Sequence, residues 1–180
     1  MSGAVVLCVG NPFRRDDGAA AAVAGIVRDA CPPGVRVVDL DGDPARAVEA
    51  WAGAELAVVV DAARATAPPG TVRRVEVAAG AGPGGAGQPG VGPPTAARAP
   101  ASSHGWSLGD AVALGRALGR LPRRLVLYTV AGRDFADGPG LSGPVARAVP
   151  GVAAAVIDEA APVGAAAPPG AHPAGRAGAG

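Results

Sequence analysis

The feature that most constrains the fold is an alternation of short apolar runs with helix-patterned segments. Ala4–Gly10 reads AVVLCVG, Val35–Asp41 reads VRVVDLD and Leu56–Ala63 reads LAVVVDAA. Continuous apolar, partly β-branched runs of this length suit parallel strands whose sheet is covered by helices on both faces. Between the first two runs, DGAAAAVAGIVRDAC sets Val23, Ile26, Val27 and Ala30 at i, i+3, i+4 and i+7, a helical stripe stopped by PPG. Between the second and third, Asp43 puts an N-cap oxygen before Pro44 at N1, which predicts a helix running to about Ala54.

The remainder continues the pattern. Thr71–Ala78 alternates Val with Arg and Glu, so one of its faces is wetter and it belongs at a sheet edge. Ser107–Gly119 is helical, with Ser107 as N-cap and Asp110 three residues on in capping-box position. Leu125–Gly132 is a further strand, and a last helix, capped by Ser142, is expected to be interrupted or kinked at Pro150. The sum predicts an α/β fold: three layers, α/β/α, doubly wound around a mostly parallel sheet of about five strands.

A chain of 180 residues suits one domain with a full core. That domain is expected over 1–161, with a flexible Gly/Pro loop at 79–102 and a disordered tail at 162–180. The net charge of +1 and scattered arginines, paired only at Arg14-Arg15, Arg73-Arg74 and Arg123-Arg124 without interleaved aromatics, argue against nucleic acid as a partner. Cys8 and Cys31 form no CxxC and suit buried thiols in a reducing compartment. No basic region precedes an apolar stretch and no apolar run approaches about 18 residues, so no membrane association and a cytoplasmic location are expected.

In doubly wound sheets ligands bind beyond the carboxyl ends of the strands. Asn11, Asp16 and Asp17 follow the first strand there, Asp39, Asp41 and Asp43 the second, Asp61 and Arg64 the third, and SSHGWS brings His104 before a helix. Neither GxGxxG nor GxxxxGK[ST] is present, and two carboxylates at a helix start would repel a phosphate. One aspartate of the Asp16-Asp17 pair accounts for a helix cap, leaving the other for a site or for solvent. Asp61 is a strand-end cap or a site residue, and His104 a surface-loop residue or a ligand. A triad of Ser102 or Ser103 with His104 lacks a GxSxG elbow. Two carboxylates and a neutral imidazole, by contrast, form a ligand set suited to Zn or Ni with positions left open.

With these residues in hand the chain resembles the hydrogenase maturation endopeptidases, which trim the C-terminal extension of the large subunit of nickel-containing hydrogenases. GNPFRRDDG resembles the family's Gly-Asn…Asp-[Asp/Glu]-Gly opening, VVVDAAR its strand-end aspartate, and SSHGWSLGDAVALG its histidine-then-helix segment, in the family's order over about residues 4–160. The resemblance implies a five-stranded α/β fold and a metal-binding, catalytic triplet of Asp17, Asp61 and His104, with Asp16 as a helix-start neighbour. It implies a metal-dependent or aspartyl-type endopeptidase acting on the large-subunit precursor once nickel is inserted. Nickel would be carried by the substrate, with another divalent metal possible in vitro, and the protein is expected to be a monomer. The Gly/Pro loop before His104 and the tail are longer than the family pattern. Two other readings stay open: a non-catalytic metal-binding or chaperone-like domain docking on a metalloenzyme, and a small-molecule-binding α/β domain.

Overall fold

A computed structural model describes residues 3–77 and 108–166. Five strands form one sheet in the order β2-β1-β3-β5-β4: β1 Ala4–Val9, β2 Val35–Leu40, β3 Leu56–Arg64, β4 Val72–Val77 and β5 Arg124–Gly132. β1, β2, β3 and β5 pair in parallel, and only β4, at one edge, runs antiparallel to β5. All six residues of β1 are buried, as a central strand covered on both sides requires. The exposed and half-buried residues of β4 agree with the edge position its Arg/Glu alternation predicts.

Helices α1, Ala19–Ala30, and α4, Gly143–Ala165, cover one face, and α2, Pro44–Trp51, with α3, Leu108–Ala117, cover the other. The strand pleat divides the core accordingly. Val6, Cys8, Val58 and Val60 point to the α1/α4 side, where Val23, Val27, Val152 and Val156 meet them. Val5, Leu7, Val9 and Val59 point to the α2/α3 side, around Trp51 and Val48. Asp43 caps α2 as its sequence predicts, its side chain accepting from the Ala45 N–H at 2.9 Å with Pro44 opening the helix.

Three local expectations are corrected. The buried stripe of α1 is Ala20, Val23, Ala24 and Val27, whereas Ile26 is exposed and so is Ala30. The alanines are small enough to let the helix lie close on the sheet, which rotates the stripe away from Ile26. α4 runs without interruption through Pro150 and Pro162 to Ala165, so residues 162–165 belong to the helix and not to a tail. Its end is held by close backbone packing: a Cβ on Gly34 would lie 1.9 Å from the Gly164 carbonyl oxygen, and one on Gly164 would lie 2.4 Å from Val35 Cγ2. α4 is also long and apolar enough to cross a membrane by length and composition, contrary to the expectation that no such run exists. Its Val145, Val149, Val152, Ala153 and Val156 are core residues packed against the sheet.

Candidate metal and catalytic site

The chain leaves β1 through α1 to reach β2 on one side, and returns through α2 to β3 on the other. The strand order therefore reverses between β1 and β3, the switch point at which ligands enter such sheets. Val9 is the register partner of Asp61, which places Asp61 level with the end of β1. After β1, Gly10 to Arg14 lead into a 3-10 turn, Arg15–Gly18, that carries Asp16 and Asp17 directly into α1. The strand ends thus place Asp17 and Asp61 close enough for the charge of one to act on the other. His104 and Ser107 lie outside the described residues.

Gly10 makes this approach feasible. Its φ is +145°, and a Cβ there would lie 2.2 Å from the Asp17 carbonyl oxygen, so only glycine lets the turn fold back against the strand end. Gly18 is close-packed too, a Cβ there lying 3.1 Å from Pro12 Cα. The Asp17 carboxylate is buried and accepts the Asn11 N–H at Oδ2, 3.0 Å away, which ties the two ends of the opening loop together.

Asp16 has a role the sequence does not reveal. It caps no helix; its Oδ2 accepts the N–H groups of Arg133 and Asp134, both at 2.9 Å, and the Ser142 hydroxyl at 3.0 Å, while its Oδ1 accepts the Ser142 N–H at 2.7 Å. Burial alone would raise its pKa, but these donors outweigh burial and hold the carboxyl below its ordinary value. Ser142 accordingly makes no side-chain cap for α4, because its hydroxyl is committed to Asp16. Asp16 clasps the segment after β5 to the turn after β1. Gly132 leaves the room, since a Cβ there would lie 2.5 Å from the Phe135 ring and 3.1 Å from Asp16 Cβ.

Asp61 is the opposite case. Its Oδ1 is buried and accepts no hydrogen bond. Burial, reinforced by the negative charge of Asp17 and only partly offset by the Ala62 N–H, pushes its pKa up to about 7. A buried carboxylate oxygen without a donor, beside a second carboxylate, is what a divalent cation satisfies, so the residues present fit a metal. Among the described residues no group of three His, Cys, Asp or Glu forms a complete ligand set, and the third expected ligand is His104. Elsewhere, burial and nearby Asp39 push the Cys8 thiol up to about 12, which leaves it an inert core residue.

This sheet end also carries Phe13 and Arg15, not singled out as site residues by the sequence, and Arg64, named there only as a strand-end residue. Phe13 projects into solvent, Arg15 adopts φ 44° and pairs with Asp134 at 2.6 Å, and Arg64 stacks on Phe135. Their only sequence signals were the position of Phe13 and Arg15 within GNPFRRDDG and of Arg64 three residues after Asp61.

No family model matches the chain, and neither does any curated protein. Solved structures do. The fold is similar to that of the hydrogenase maturating endopeptidase HybD from Escherichia coli, at 18% identity and a TM-score of 0.68 over 87% of this chain and 91% of that one. It is similar also to the [NiFe] hydrogenase maturation protease HybD from Thermococcus kodakarensis, at 21% identity and a TM-score of 0.63 over 88% and 99% of the two chains. A third likeness is to the hydrogenase 3 maturation protease, at 18% identity and a TM-score of 0.58. The chain therefore has the α/β fold of these maturation proteases over 85–88% of its length, with the Asp17 and Asp61 carboxylates near one another at its switch point.

Proposed function

We propose that this protein is a hydrogenase maturation endopeptidase that removes the C-terminal extension of a nickel-containing large-subunit precursor after nickel insertion. The observation that carries the reading is the half-buried Asp61, its Oδ1 buried and unpartnered, beside the buried Asp17 at the switch point of a fold similar to those endopeptidases. Fold likeness alone would not choose a function. The carboxylate pair adds a chemical reason for a metal at this sheet end.

In this reading Asp17, Asp61 and His104 hold the metal, and nickel arrives as part of the substrate. When bound, the metal supplies either polarisation of the scissile carbonyl or a lowered pKa for a water, or else serves to report that nickel has been loaded. The chain's own residues do the positioning. Asp17 is fixed through Asn11 and through the close approach to Gly10, and Asp16 locks the turn against the segment after β5. In the metal-free chain burial and Asp17 push the Asp61 carboxyl up to about 7, so a metal held there would displace its proton. Ser142 is engaged by Asp16, and Cys8 is buried and protonated, so neither serves as a nucleophile. We further read the protein as a cytoplasmic monomer.

The test is co-expression with a nickel-loaded large-subunit precursor, read as loss of the C-terminal extension by intact mass. Wild-type chain is expected to trim the precursor, and Asp17→Ala and Asp61→Ala to leave it uncut. Normal processing by both variants would overturn the site.

A further inference from the structure

The sheet end that holds the carboxylates has braced residues that the proposed chemistry does not use. Phe13 is the most exposed large apolar side chain among the described residues at 74%, ahead of Leu118 at 55%. A lone exposed phenylalanine is ordinary on a mobile loop. This one is pinned on both sides: its N–H donates to Asn11 Oδ1 at 2.9 Å, and its carbonyl accepts the Gly138 N–H at 2.8 Å. Two residues on, the Arg15 N–H donates to the Gly138 carbonyl at 2.9 Å, with Arg15 in the left-handed region.

Arg64 is braced separately, on Phe135 at the face of the sheet that carries Val58, Val60 and Ala62. Its guanidinium carbon sits 4.7 Å from the centroid of the Phe135 ring, and no carboxylate pairs with it among the described residues. A stacked guanidinium keeps its in-plane N–H groups available for a carboxylate. The carbonyl of that same Phe135 accepts from Arg14 Nη2 at 3.3 Å, so the Phe13–Arg14 loop and Arg64 are anchored on one buried residue. Phe13 lies in the loop that the Asn11–Asp17 hydrogen bond closes, and Arg64 follows Asp61 at the end of β3 on the opposite face of the strand, so both stand at the same sheet end as the carboxylate pair.

We infer that Phe13 and Arg64 form a docking patch for the protein substrate, taking an apolar side chain flanked by a carboxylate from the substrate segment next to the scissile bond. The inference rests on the proposed endopeptidase function. Aromatic and arginine side chains are the usual anchors of protein interfaces. Both are already held in place, so little side-chain freedom is lost on binding. The carboxylate on the partner follows from charge complementarity: Arg15 spends its charge on Asp134, whereas Arg64 meets no carboxylate among the described residues.

The experiment is steady-state cleavage of a nickel-loaded large-subunit precursor by the full chain and by F13A, R64A, R64K and L118A, with melting temperatures for each. F13A and R64A are each expected to raise KM roughly tenfold with kcat within about twofold and melting unchanged, since neither side chain supports the core. R64K keeps the charge but not the planar fork and should fall between wild type and R64A. L118A, exposed past the C-terminal end of α3, should match wild type. Added salt should raise the wild-type KM more than that of R64A. Cleavage by wild type with KM unchanged in both F13A and R64A overturns the patch and leaves the endopeptidase reading standing. No cleavage by wild type overturns both.

Discussion

Removing the Asp16 carboxylate tests whether the fold depends on the clasp between the turn after β1 and the segment after β5. The carboxylate accepts four hydrogen bonds, three of them from backbone N–H groups that cannot move away: Arg133 and Asp134 at 2.9 Å and Ser142 at 2.7 Å. A hydrogen bond to a charged group contributes about 1.5–3 kcal/mol, and stranding a buried donor costs about 1–3 kcal/mol. The four bonds share one acceptor and are not additive, and Asp16→Ala also removes the cost of burying the charge. A net loss of about 3–5 kcal/mol follows for Asp16→Ala. For a domain of this size that corresponds to roughly 10–15 °C in Tm.

The pattern across variants is more diagnostic than the single value. Asp16→Asn keeps one oxygen, which can stay on the Oδ2 side with its three donors, and turns an amide N–H₂ towards the Ser142 N–H. It should cost about 2 kcal/mol, and Ser142→Ala, which loses only the hydroxyl bond, about 1 kcal/mol. Urea unfolding followed by far-UV circular dichroism gives all three on one scale. The pH profile adds a signed check. The native carboxyl titrates below its ordinary value, so its contribution is complete above the unfolded pKa of about 3.9 and is lost as pH falls through the native value. Wild type should therefore lose stability more steeply than Asp16→Asn below about pH 4. If Asp16→Ala unfolds within about 1 kcal/mol of wild type, or Ser142→Ala costs as much as Asp16→Ala, the clasp is not what holds these segments.

Other substitutions separate backbone geometry from charge. Gly10→Ala forces a Cβ to within 2.2 Å of the Asp17 carbonyl at a positive φ, and should cost about 3 kcal/mol or more by thermal melting and abolish processing. Asp61→Asn should stabilise the metal-free chain at pH 8 and not at pH 4: a carboxyl raised to about 7 gives no penalty below its unfolded pKa, and destabilises increasingly as pH rises through the native value. Equal Tm differences at the two pH values would refute that assignment. Glu159 bridges Arg74 and Arg124 on the β4–β5 edge, with the two arginine side chains 40% and 45% exposed, so Glu159→Gln should cost about 1 kcal/mol at low salt and less in 0.5 M NaCl by urea unfolding.

The strands and the placing of Asp17 and Asp61 at one sheet end were legible because both follow from chain-local patterns. Runs such as AVVLCVG and LAVVVDAA mark buried parallel strands, and their alternation with helices puts Asp17 and Asp61 at the same sheet end. What depended on partners distant in sequence was not legible. Ile26 fits the helical stripe but faces solvent, because the alanines of α1 set how the helix lies on the sheet. Pro162 resembles a stop signal, yet α4 passes it because Gly164 docks on Gly34 and Val35. Ser142 resembles a helix cap, and its hydroxyl is instead claimed by a carboxylate 126 residues earlier.

The division of labour within the adjacent pair shows why two buried carboxylates can coexist. Asp16 is surrounded by donors, and its charge is met in place. Asp17 receives the Asn11 N–H and its charge acts on Asp61, whose Oδ1 receives nothing. The unmet carboxylate oxygen thus belongs to Asp61, at the end of the strands, and not to the turn that carries Asp16 and Asp17. A cation bound there would satisfy that oxygen, so Ni²⁺ or Zn²⁺ should raise the Tm of wild type by more than it raises that of Asp61→Asn, with about 2.7 kcal/mol of added stability in wild type at a hundredfold excess over Kd. Asp16→Asn, if still folded, should retain most of that metal-induced gain. Equal metal-induced shifts in wild type and Asp61→Asn would place the cation elsewhere and leave the Asp61 oxygen without an account.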